Sequence, residues 1–337
     1  MKTAGLTEFL SDHDFNGVVL ARSGTTTVFE AATGLASRRW NQPNTLDTRF
    51  DSGSIGMLFT SVAVLQQVAA GNIDLETSIH HYVDLDESAI PIGVTLLHLL
   101  THTSGIADDA DEEQDESYAD LWRQNPVYNF IDTADLLPLF VDKEPIAEPG
   151  FEASENNAGY ILAGLALEKV TGRSYRDYVT EEVFAKAGMT SSGFFSKTDA
   201  APLVAEGWDQ TESGVWVQNL YSGPPVGSPA GGAHVTAADL VTFLGAIRGG
   251  TLLNPEYTEE FLIPQVEVDE ETSFGFGLEF DLDEEGAVLS LYKDALAPGV
   301  SGILRHYPDE NLDLVVLSNS EEGAWDVVTE LDDRILD

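Results

Sequence analysis

The 337-residue sequence contains no cysteine, few basic residues and no long apolar run. The absence of cysteine excludes disulfide bonds, thiolate nucleophiles and cysteine-ligated metal centres. No apolar stretch approaches the roughly 20 residues that a membrane-spanning helix needs, so we expect no membrane partner. Residues 1–8 lack the apolar stretch of a signal peptide, and we therefore predict a cytoplasmic location.

Basic residues are scarce, because 16 Lys and Arg stand against 58 Asp and Glu, which gives a formal net charge of −42. Nucleic acids and anionic membranes bind clustered basic side chains, so this balance argues against both as partners. The acids are spread along the whole chain, which favours a halophilic protein with a solvated acidic surface, from the cytoplasm of a high-salt organism. One dense acidic cluster at 108–120 lacks calcium-loop spacing, and we interpret it as an exposed loop.

Apolar residues make up 43% of the chain, enough for a large core. Residues 17–21 and 25–30 flank a turn and predict a β-hairpin, and residues 274–280 alternate like a single strand. Residues 314–318 are uniformly apolar, as in a strand at the centre of a sheet. Apolar periodicity and capping residues predict helices over four further stretches: 55–70, 157–170, 237–248 and 324–336.

The order of these elements predicts one module over residues 1–337. Strands lie near both ends of the chain, and helices and long loops fill the middle. The economical interpretation is a sheet built from about 10–50 and 270–320, with a helical subdomain and loops at about 55–250 inserted between its parts. The sequence shows no internal repeat and no Pro/Gly/Ser linker that would divide it.

Five groups of short motifs follow one another along the chain. They are TRFDSGSIGMLFT (48–60), LLHLLTHTSG (96–105), PG with ENNAGYILAG (149–150 and 155–164), PAGG with TAADL (229–232 and 236–240), and PG, YP and VVLSN (298–299, 307–308 and 315–319). Together they resemble the serine β-lactamase and penicillin-binding-protein superfamily, on its class C-like, carboxylesterase and D-alanyl-peptidase branch. The resemblance covers nearly the whole chain. It implies an α/β (α+β) fold of the β-lactamase/transpeptidase type, an antiparallel sheet flanked by helices with an inserted all-helical subdomain.

The resemblance also implies acyl transfer. In that family a serine at the start of a helix attacks a carbonyl, helped by a lysine one turn later and by a tyrosine of a Tyr-x-Asn motif. A strand carrying Lys- or His-x-Gly lines the other wall, and backbone N–H groups stabilise the oxyanion. Carried onto this chain, the nucleophile is Ser54, and the oxyanion donors are the N–H groups of Ser54 and Leu296.

The catalytic set departs from the family pattern at three places. Met57 occupies the lysine position, and a thioether cannot accept the proton. Glu155 occupies the tyrosine position, while Asn157 retains the asparagine. Counting back from the Pro-Gly pair places Lys293 at the Lys/His position, and Ala295 replaces the glycine two residues later, which we expect to narrow the site.

Two interpretations stay open for the charged residues. Glu155 could be a new general base, or it could be a salt-bridge partner of Lys293, which would lower its pKa. Lys293 could bind an anionic group of the substrate, or it could only balance Glu155. Ser54 could also serve simply as a helix cap. We expect a structural role for His102, and the histidines show no metal-ligand spacing, so we predict no metal and no cofactor.

Two functions fit the sequence. The first is a serine hydrolase that acts on a small-molecule ester, lactam or peptide-like substrate through Ser54. The second is a catalytically inactive pseudoenzyme that uses the cleft to bind a ligand or partner; an engineered substitution at Met57 is a third explanation. Tyr118, Trp122 and Tyr128 could cover the cleft or belong to the core. The sequence leaves the oligomeric state open.

Overall fold

The computed structural model describes residues 1–110 and 118–336. Its strands, in chain order, are β1 (Gly17–Ser23), β2 (Thr26–Thr33), β3 (Leu35–Ser37), β4 (Gln42–Pro43), β5 (Phe50–Asp51), β6 (Trp208–Gln210), β7 (Trp216–Gln218), β8 (His234–Val235), β9 (Val266–Glu267), β10 (Thr272–Phe274), β11 (Glu279–Leu282), β12 (Val288–Ala297), β13 (Val300–Tyr307) and β14 (Leu312–Ser318). Its α-helices are α1 (Leu6–Asp12), α2 (Met57–Ala69), α3 (Leu96–Leu100), α4 (Tyr118–Gln124), α5 (Asn157–Thr171), α6 (Tyr175–Tyr178), α7 (Ala185–Ala187), α8 (Ala237–Arg248), α9 (Pro255–Phe261) and α10 (Trp325–Leu336). No helix among these described residues is both long and apolar enough to cross a membrane.

The main sheet has eight antiparallel strands in the order β2-β1-β14-β13-β12-β11-β10-β9. The N-terminal hairpin joins the C-terminal strands through β1 and β14, with Gly17 opposite Ser318. Side chains alternate between two cores, because successive residues of a strand point to opposite faces. One face packs on α1 and α10, and the other on the helices that include α2, α5 and α8. The predicted antiparallel sheet flanked by helices is confirmed.

The predicted helices form close to their expected bounds, and their ends carry the expected capping groups. A 3₁₀ turn over Gly53–Gly56 leads directly into α2. The Asn156 side chain accepts the backbone N–H of Gly159 at the start of α5, and Gly172 ends that helix at φ 66°. The hydroxyl of Thr236 caps α8 in the same way. These caps fix the start of α8 and of α5, the helix that carries the predicted asparagine.

The prediction of a single strand over residues 274–280 is wrong. β10 ends at Phe274, and β11 begins at Glu279 after a tight turn. Gly277 adopts φ 82° in this turn, and the Gly275 N–H donates to the Leu278 carbonyl at 2.7 Å. A Cβ atom at position 277 would lie 2.8 Å from the Tyr160 hydroxyl, so the position requires glycine. The turn sets the register that brings Glu279 toward the candidate site.

The acidic cluster at 108–120 is not simply an exposed loop, and that interpretation is wrong for its first members. Residues 111–117 lie outside the described residues. Asp109 is buried, and Asp108 accepts the backbone N–H groups of Asn157 and Ala158 at 3.1 and 2.8 Å. The first N–H groups of a helix lack partners within the helix and carry partial positive charge, which favours a carboxylate at this place.

Candidate active site

Ser54 lies in the 3₁₀ turn immediately before α2, half-buried at the edge of a cleft. The N–H of Gly53 donates to the Asp51 carboxylate at 3.0 Å, which holds the turn from one side. Gly231 packs against it from the other side, because a Cβ atom there would lie 2.2 Å from the Gly53 carbonyl oxygen. The glycines of the PAGG motif therefore let two backbone segments meet at the predicted nucleophile.

Met57 is fully buried in the main core. It lies on α2 one turn after Ser54, at the place where relatives would carry a lysine. Its thioether packs among apolar side chains and offers no proton acceptor of useful strength. Any activation of Ser54 must therefore come from another element.

Lys293 on β12 lies at the centre of an acidic group. Its Nζ is 3.0 Å from Glu155, 2.8 Å from Glu279 and 3.9 Å from Asp294, and its side chain is only 1% exposed. Burial alone would lower the pKa of this ammonium, but the carboxylates outweigh it and raise the pKa above its usual value. Lys293 is therefore charged and ion-paired, which matches the interpretation that it balances Glu155.

Glu155 precedes α5 and faces both Lys293 and the predicted nucleophile. Burial raises its pKa, but Lys293, His102 and hydrogen bonds from Lys293 and Ser54 outweigh that effect, so the pKa lies below its usual range. Ser54 thus lies near a carboxylate that stays ionised at neutral pH. The side chain of Glu155 is 41% exposed, so solvent also reaches it.

His102 anchors the segment that carries Glu155. Its Nδ1 accepts the backbone N–H of Asn156 at 3.1 Å, which places any single ring proton on Nε2. Burial lowers the pKa of His102 to about 4, so the ring is neutral at neutral pH. The backbone of His102 is left-handed at φ 59°, which an ordinary helix would not allow. The contacts match the expected structural role.

Asn157 is the first residue of α5, and hydrogen bonds fix the orientation of its side-chain amide. Nδ2 donates to Asp108 at 3.2 Å and to the Tyr118 hydroxyl at 2.7 Å, and that hydroxyl donates to Asp109 at 3.0 Å. Burial and the neighbouring Asp109 raise the pKa of Asp108 to about 7. Because the Tyr118 hydroxyl donates its proton to Asp109, its oxygen accepts from Asn157, so the amide nitrogen faces Tyr118 and Oδ1 is left for other groups.

The acids around Lys293 have spacing that could hold a metal ion. Oxygen atoms of Glu155, Glu279 and Asp294 lie within 4.8 Å of one another. The Lys293 ammonium lies within hydrogen-bonding distance of two of them, so a built-in cation already balances the charge. We therefore interpret Glu155, Glu279 and Asp294 as ionic partners of Lys293 and not as metal ligands.

A cleft of about 520 Å³ lies beside these residues. Among the predicted site residues, Ser54, Asn157 and Leu296 line it, together with Tyr118 and Trp122. Tyr128 is 71% exposed. Of the three aromatic residues named from the sequence, Tyr118 and Trp122 thus line the cleft, and Trp122 also packs in the main core.

Ala295 occupies the position where the family carries glycine. It is buried, and a Cβ atom added to Gly53 would lie 2.8 Å from its methyl group. The methyl group therefore fills the space against the backbone of the nucleophile turn. Ala295 is not among the residues that line the cleft, and the narrowing of the site stays a prediction.

Sequence and structure comparisons decide the family. The sequence model of the beta-lactamase family matches residues 5–336. The chain belongs to the beta-lactamase family. A solved structure of a penicillin-binding protein from Bacillus halodurans is 36% identical, covers 97% of this chain and 99% of its own length, and superposes with a TM-score of 0.93. The predicted superfamily is confirmed.

More distant similarities also extend over most of the chain. Penicillin-binding protein 4* of Bacillus subtilis is 24% identical over 333 residues, which are 93% of this chain and 70% of that relative. The chain spans 59% and 61% of two other penicillin-binding proteins. A D-stereospecific amidohydrolase from Streptomyces sp. is 22% identical with a TM-score of 0.79, and each chain covers 95% of the other. The prediction of a hydrolase family is confirmed.

Proposed function

We propose that this beta-lactamase-family protein is a serine hydrolase that transfers the acyl group of an ester or amide to Ser54 and then to water. The observations that carry the proposal are Ser54 at the edge of the cleft and the ionised carboxylate of Glu155 close enough to it for the hydroxyl to lower the pKa of Glu155. A nucleophile hydroxyl beside a base at the edge of a cleft is the arrangement that acyl transfer requires.

The proposed reaction has two halves. The Ser54 oxygen attacks the carbonyl carbon while its proton passes to Glu155, and the N–H groups of Ser54 and Leu296 stabilise the oxyanion. The tetrahedral intermediate then collapses, and the leaving alcohol or amine takes the proton from Glu155. In the second half, Glu155 accepts a proton from water as the water oxygen attacks the acyl carbon. The second tetrahedral intermediate then collapses, Glu155 returns the proton to the Ser54 oxygen, and the acid product leaves.

The environment of Glu155 sets the expected rate. A general base works best when its pKa is near the working pH, and Lys293 holds the pKa of Glu155 well below that. Glu155 is therefore almost always ionised but accepts a proton weakly. The proposed enzyme should act best on esters with good leaving groups, which need least help from a base.

A labelling experiment tests the proposal directly. Incubation with a fluorophosphonate should add one phosphonyl group to the protein, and peptide mass spectrometry should locate it on Ser54. The Ser54→Ala variant is the matched control and should take up no label. An unlabelled wild-type protein, combined with 4-nitrophenyl butyrate hydrolysis that persists unchanged in Ser54→Ala, would remove the basis for the proposal.

The alternative function is a pseudoenzyme that binds a ligand in the cleft. Two observations favour it: Met57 is a buried apolar residue at the lysine position, and Ala295 fills space beside the nucleophile turn. In that case the cleft would bind a ligand, and Ser54 would not react with it. Ligand binding would then be unaffected by Ser54→Ala.

Restoring the lysine separates the two functions. Met57→Lys places an amine one turn from Ser54 on the same helix face, where burial lowers its pKa, so we expect ester hydrolysis to rise about tenfold or more. Met57→Leu is the control for changed packing and should leave the rate within about twofold, since it exchanges similar volumes. Steady-state assays of both variants with 4-nitrophenyl butyrate check this. Activity that appears only in Met57→Lys would identify the natural chain as the pseudoenzyme.

We also propose that this protein works at high salt concentration. A net charge of −42 imposes self-repulsion that concentrated salt screens, so the protein should be studied in molar as well as dilute salt. The cytoplasmic location and halophilic origin stay predictions.

A further inference from the structure

The side-chain amide of Asn157 has both of its hydrogen-bond donors occupied inside the protein. Nδ2 donates to the Asp108 carboxylate at 3.2 Å and to the Tyr118 hydroxyl at 2.7 Å. A primary amide has two N–H donors and one carbonyl acceptor, so these two contacts use its whole donating capacity. A molecule in the cleft therefore finds no free donor on this side chain.

Tyr118 determines which end of the amide faces it. Its hydroxyl donates its one proton to Asp109 at 3.0 Å, so toward Asn157 it presents only oxygen lone pairs. Burial and the neighbouring Asp109 and Asp108 raise the pKa of Tyr118 above its usual value, so the hydroxyl keeps this proton. An amide turned the other way round would place Oδ1 against these lone pairs, acceptor against acceptor.

Asp108 holds the same amide from a second side. Its carboxylate also accepts the backbone N–H groups of Asn157 and Ala158, at 3.1 and 2.8 Å. These backbone donors at the start of α5 fix the position of the carboxylate, and the oxygen that accepts the Asn157 N–H also accepts Nδ2. Two acceptors, one on α4 and one in the loop after α3, therefore favour the same orientation of the amide.

The carbonyl oxygen of the Asn157 side chain is the atom that remains for the cleft. Asn157 lines the cleft together with Ser54. No described residue donates a hydrogen bond to Oδ1, and this atom is not buried, so a molecule in the cleft can reach it. An amide oxygen only accepts hydrogen bonds. Asn157 therefore offers the cleft an acceptor and no donor.

We infer that Tyr118 and Asp108 are positioning residues that make Asn157 an acceptor, so that the cleft selects substrates carrying an O–H or N–H donor beside it. A substrate group with lone pairs only, such as an ether, would face the lone pairs of Oδ1 and lose its hydration without a new hydrogen bond. The inference rests on the proposed function for turnover but not for binding. Both positioning residues lie outside the five motif groups.

Two pairs of esters test the selectivity. 3-(Hydroxymethyl)phenyl and 3-(methoxymethyl)phenyl butyrate differ in the leaving group, and 4-nitrophenyl 3-(hydroxymethyl)benzoate and 3-(methoxymethyl)benzoate differ in the acyl group. In at least one pair, kcat/KM should favour the hydroxyl ester, and Asn157→Leu, which keeps the size of the side chain, should lower that preference about 3- to 10-fold, the usual effect of losing one neutral hydrogen bond. Assays at pH 8 keep Asp108 mostly ionised, because burial raises its pKa to about 7.

The two positioning residues have a readout of their own. Tyr118→Phe removes one acceptor and Asp108→Asn replaces the other with an amide, so each should lower the preference for the hydroxyl ester, and the double variant should lower it as far as Asn157→Leu does. Tyr128→Phe is the matched control, because Tyr128 is 71% exposed, and it should leave the preference unchanged. A change that only weakened the fold would slow both esters of a pair equally.

Binding measurements keep this inference separate from the catalytic proposal. Isothermal titration of the Ser54→Ala variant uses the anilides N-[3-(hydroxymethyl)phenyl]butanamide and N-(4-nitrophenyl)-3-(hydroxymethyl)benzamide, each against its methoxymethyl analogue. At least one alcohol should bind more tightly than its ether, and adding Asn157→Leu, or Tyr118→Phe with Asp108→Asn, should remove the difference. That result supports the inference even if the wild-type protein hydrolyses nothing. Equal affinities within both pairs, or a preference for the alcohol that survives these substitutions, would overturn it.

Discussion

Replacing Glu155 with glutamine should lower kcat for 4-nitrophenyl butyrate by about 10²-fold, the lower end of the usual contribution of a positioned general base, because the lowered pKa makes Glu155 a weak base. Glutamine keeps the shape of the side chain but cannot accept the proton of Ser54. Met57 cannot take over, because it is a buried thioether. Initial rates over a substrate series, with circular dichroism to confirm folding, check the prediction.

The pH profile gives the same prediction a second readout. The pKa of Glu155 lies below its usual range, so the carboxylate stays ionised as the pH falls from 7 to about 5. Wild-type activity should therefore hold over that interval and decline only below the ordinary glutamate pKa. The Glu155→Gln variant should be slower than the wild-type protein, and its activity should not show this decline at low pH.

Glu279→Gln is the matched control for Glu155→Gln. Glu279 also contacts Lys293, at 2.8 Å, so its replacement removes a carboxylate from the same lysine. If the effect of Glu155→Gln comes from proton transfer, the control should lose far less activity. Equal losses in the two variants would assign Glu155 to charge balance alone.

Replacing Lys293 with methionine should lower the free energy of unfolding at pH 7 by about 3–5 kcal/mol, the usual cost of breaking a buried ion pair from one side. Lys293 is 1% exposed, and its ammonium holds Glu155 and Glu279 within 3.0 Å. Without it, these carboxylates and Asp294 would face one another with no cation between them. Denaturation by urea, monitored by fluorescence, measures the change.

The pH dependence of that loss has a definite sign. In the variant the clustered carboxylates repel one another, so their folded-state pKa values rise above the unfolded ones. Groups raised in this way bind protons more tightly when folded, and stability therefore increases as the pH falls. Burial already raises the pKa of Asp294 to about 6 in the natural protein. The deficit should therefore be smaller at pH 5 than at pH 7.

A surface lysine provides the comparison for Lys293→Met. Lys186 pairs with Glu182 at 2.6 Å, but its side chain is 55% exposed. Lys186→Met should cost less than about 1 kcal/mol, as exposed ion pairs usually do. A similarly small cost for Lys293→Met would show that the acidic group does not depend on its lysine.

The sequence predicted the site where motif spacing is tied to local structure. Ser54 begins a helix and Met57 follows one turn later, because helical periodicity fixes that relation. Glu155 and Lys293 occupied motif positions that face each other in the superfamily, so their salt bridge was one of two stated interpretations. The structure places the two side chains 3.0 Å apart.

The partners from outside the motifs could not be predicted. Glu279 reaches Lys293 because β11 pairs with β12 in a register that places it opposite Tyr292. The alternating pattern predicted one continuous strand there, and the glycine turn at Gly277 interrupts it. Since strand side chains alternate with a period of two, such a break changes which residues share a face.

Charge pattern alone also misled the interpretation of the acidic cluster. Asp108 and Asp109 look like any other members of an acidic run, yet they are withdrawn from solvent beside the start of α5.

The position of β1 inside the sheet has a consequence for how the protein is made. β1 lies between β2 and β14, and the Ser318 hydroxyl donates to the Asn16 carbonyl across 302 positions of sequence. A growing chain on the ribosome therefore presents the first hairpin long before its neighbouring strand exists. Such late closure slows folding and leaves unpaired strand edges exposed to other chains. Mutual repulsion among the 58 acidic residues would keep nascent copies apart until β14 has been synthesised.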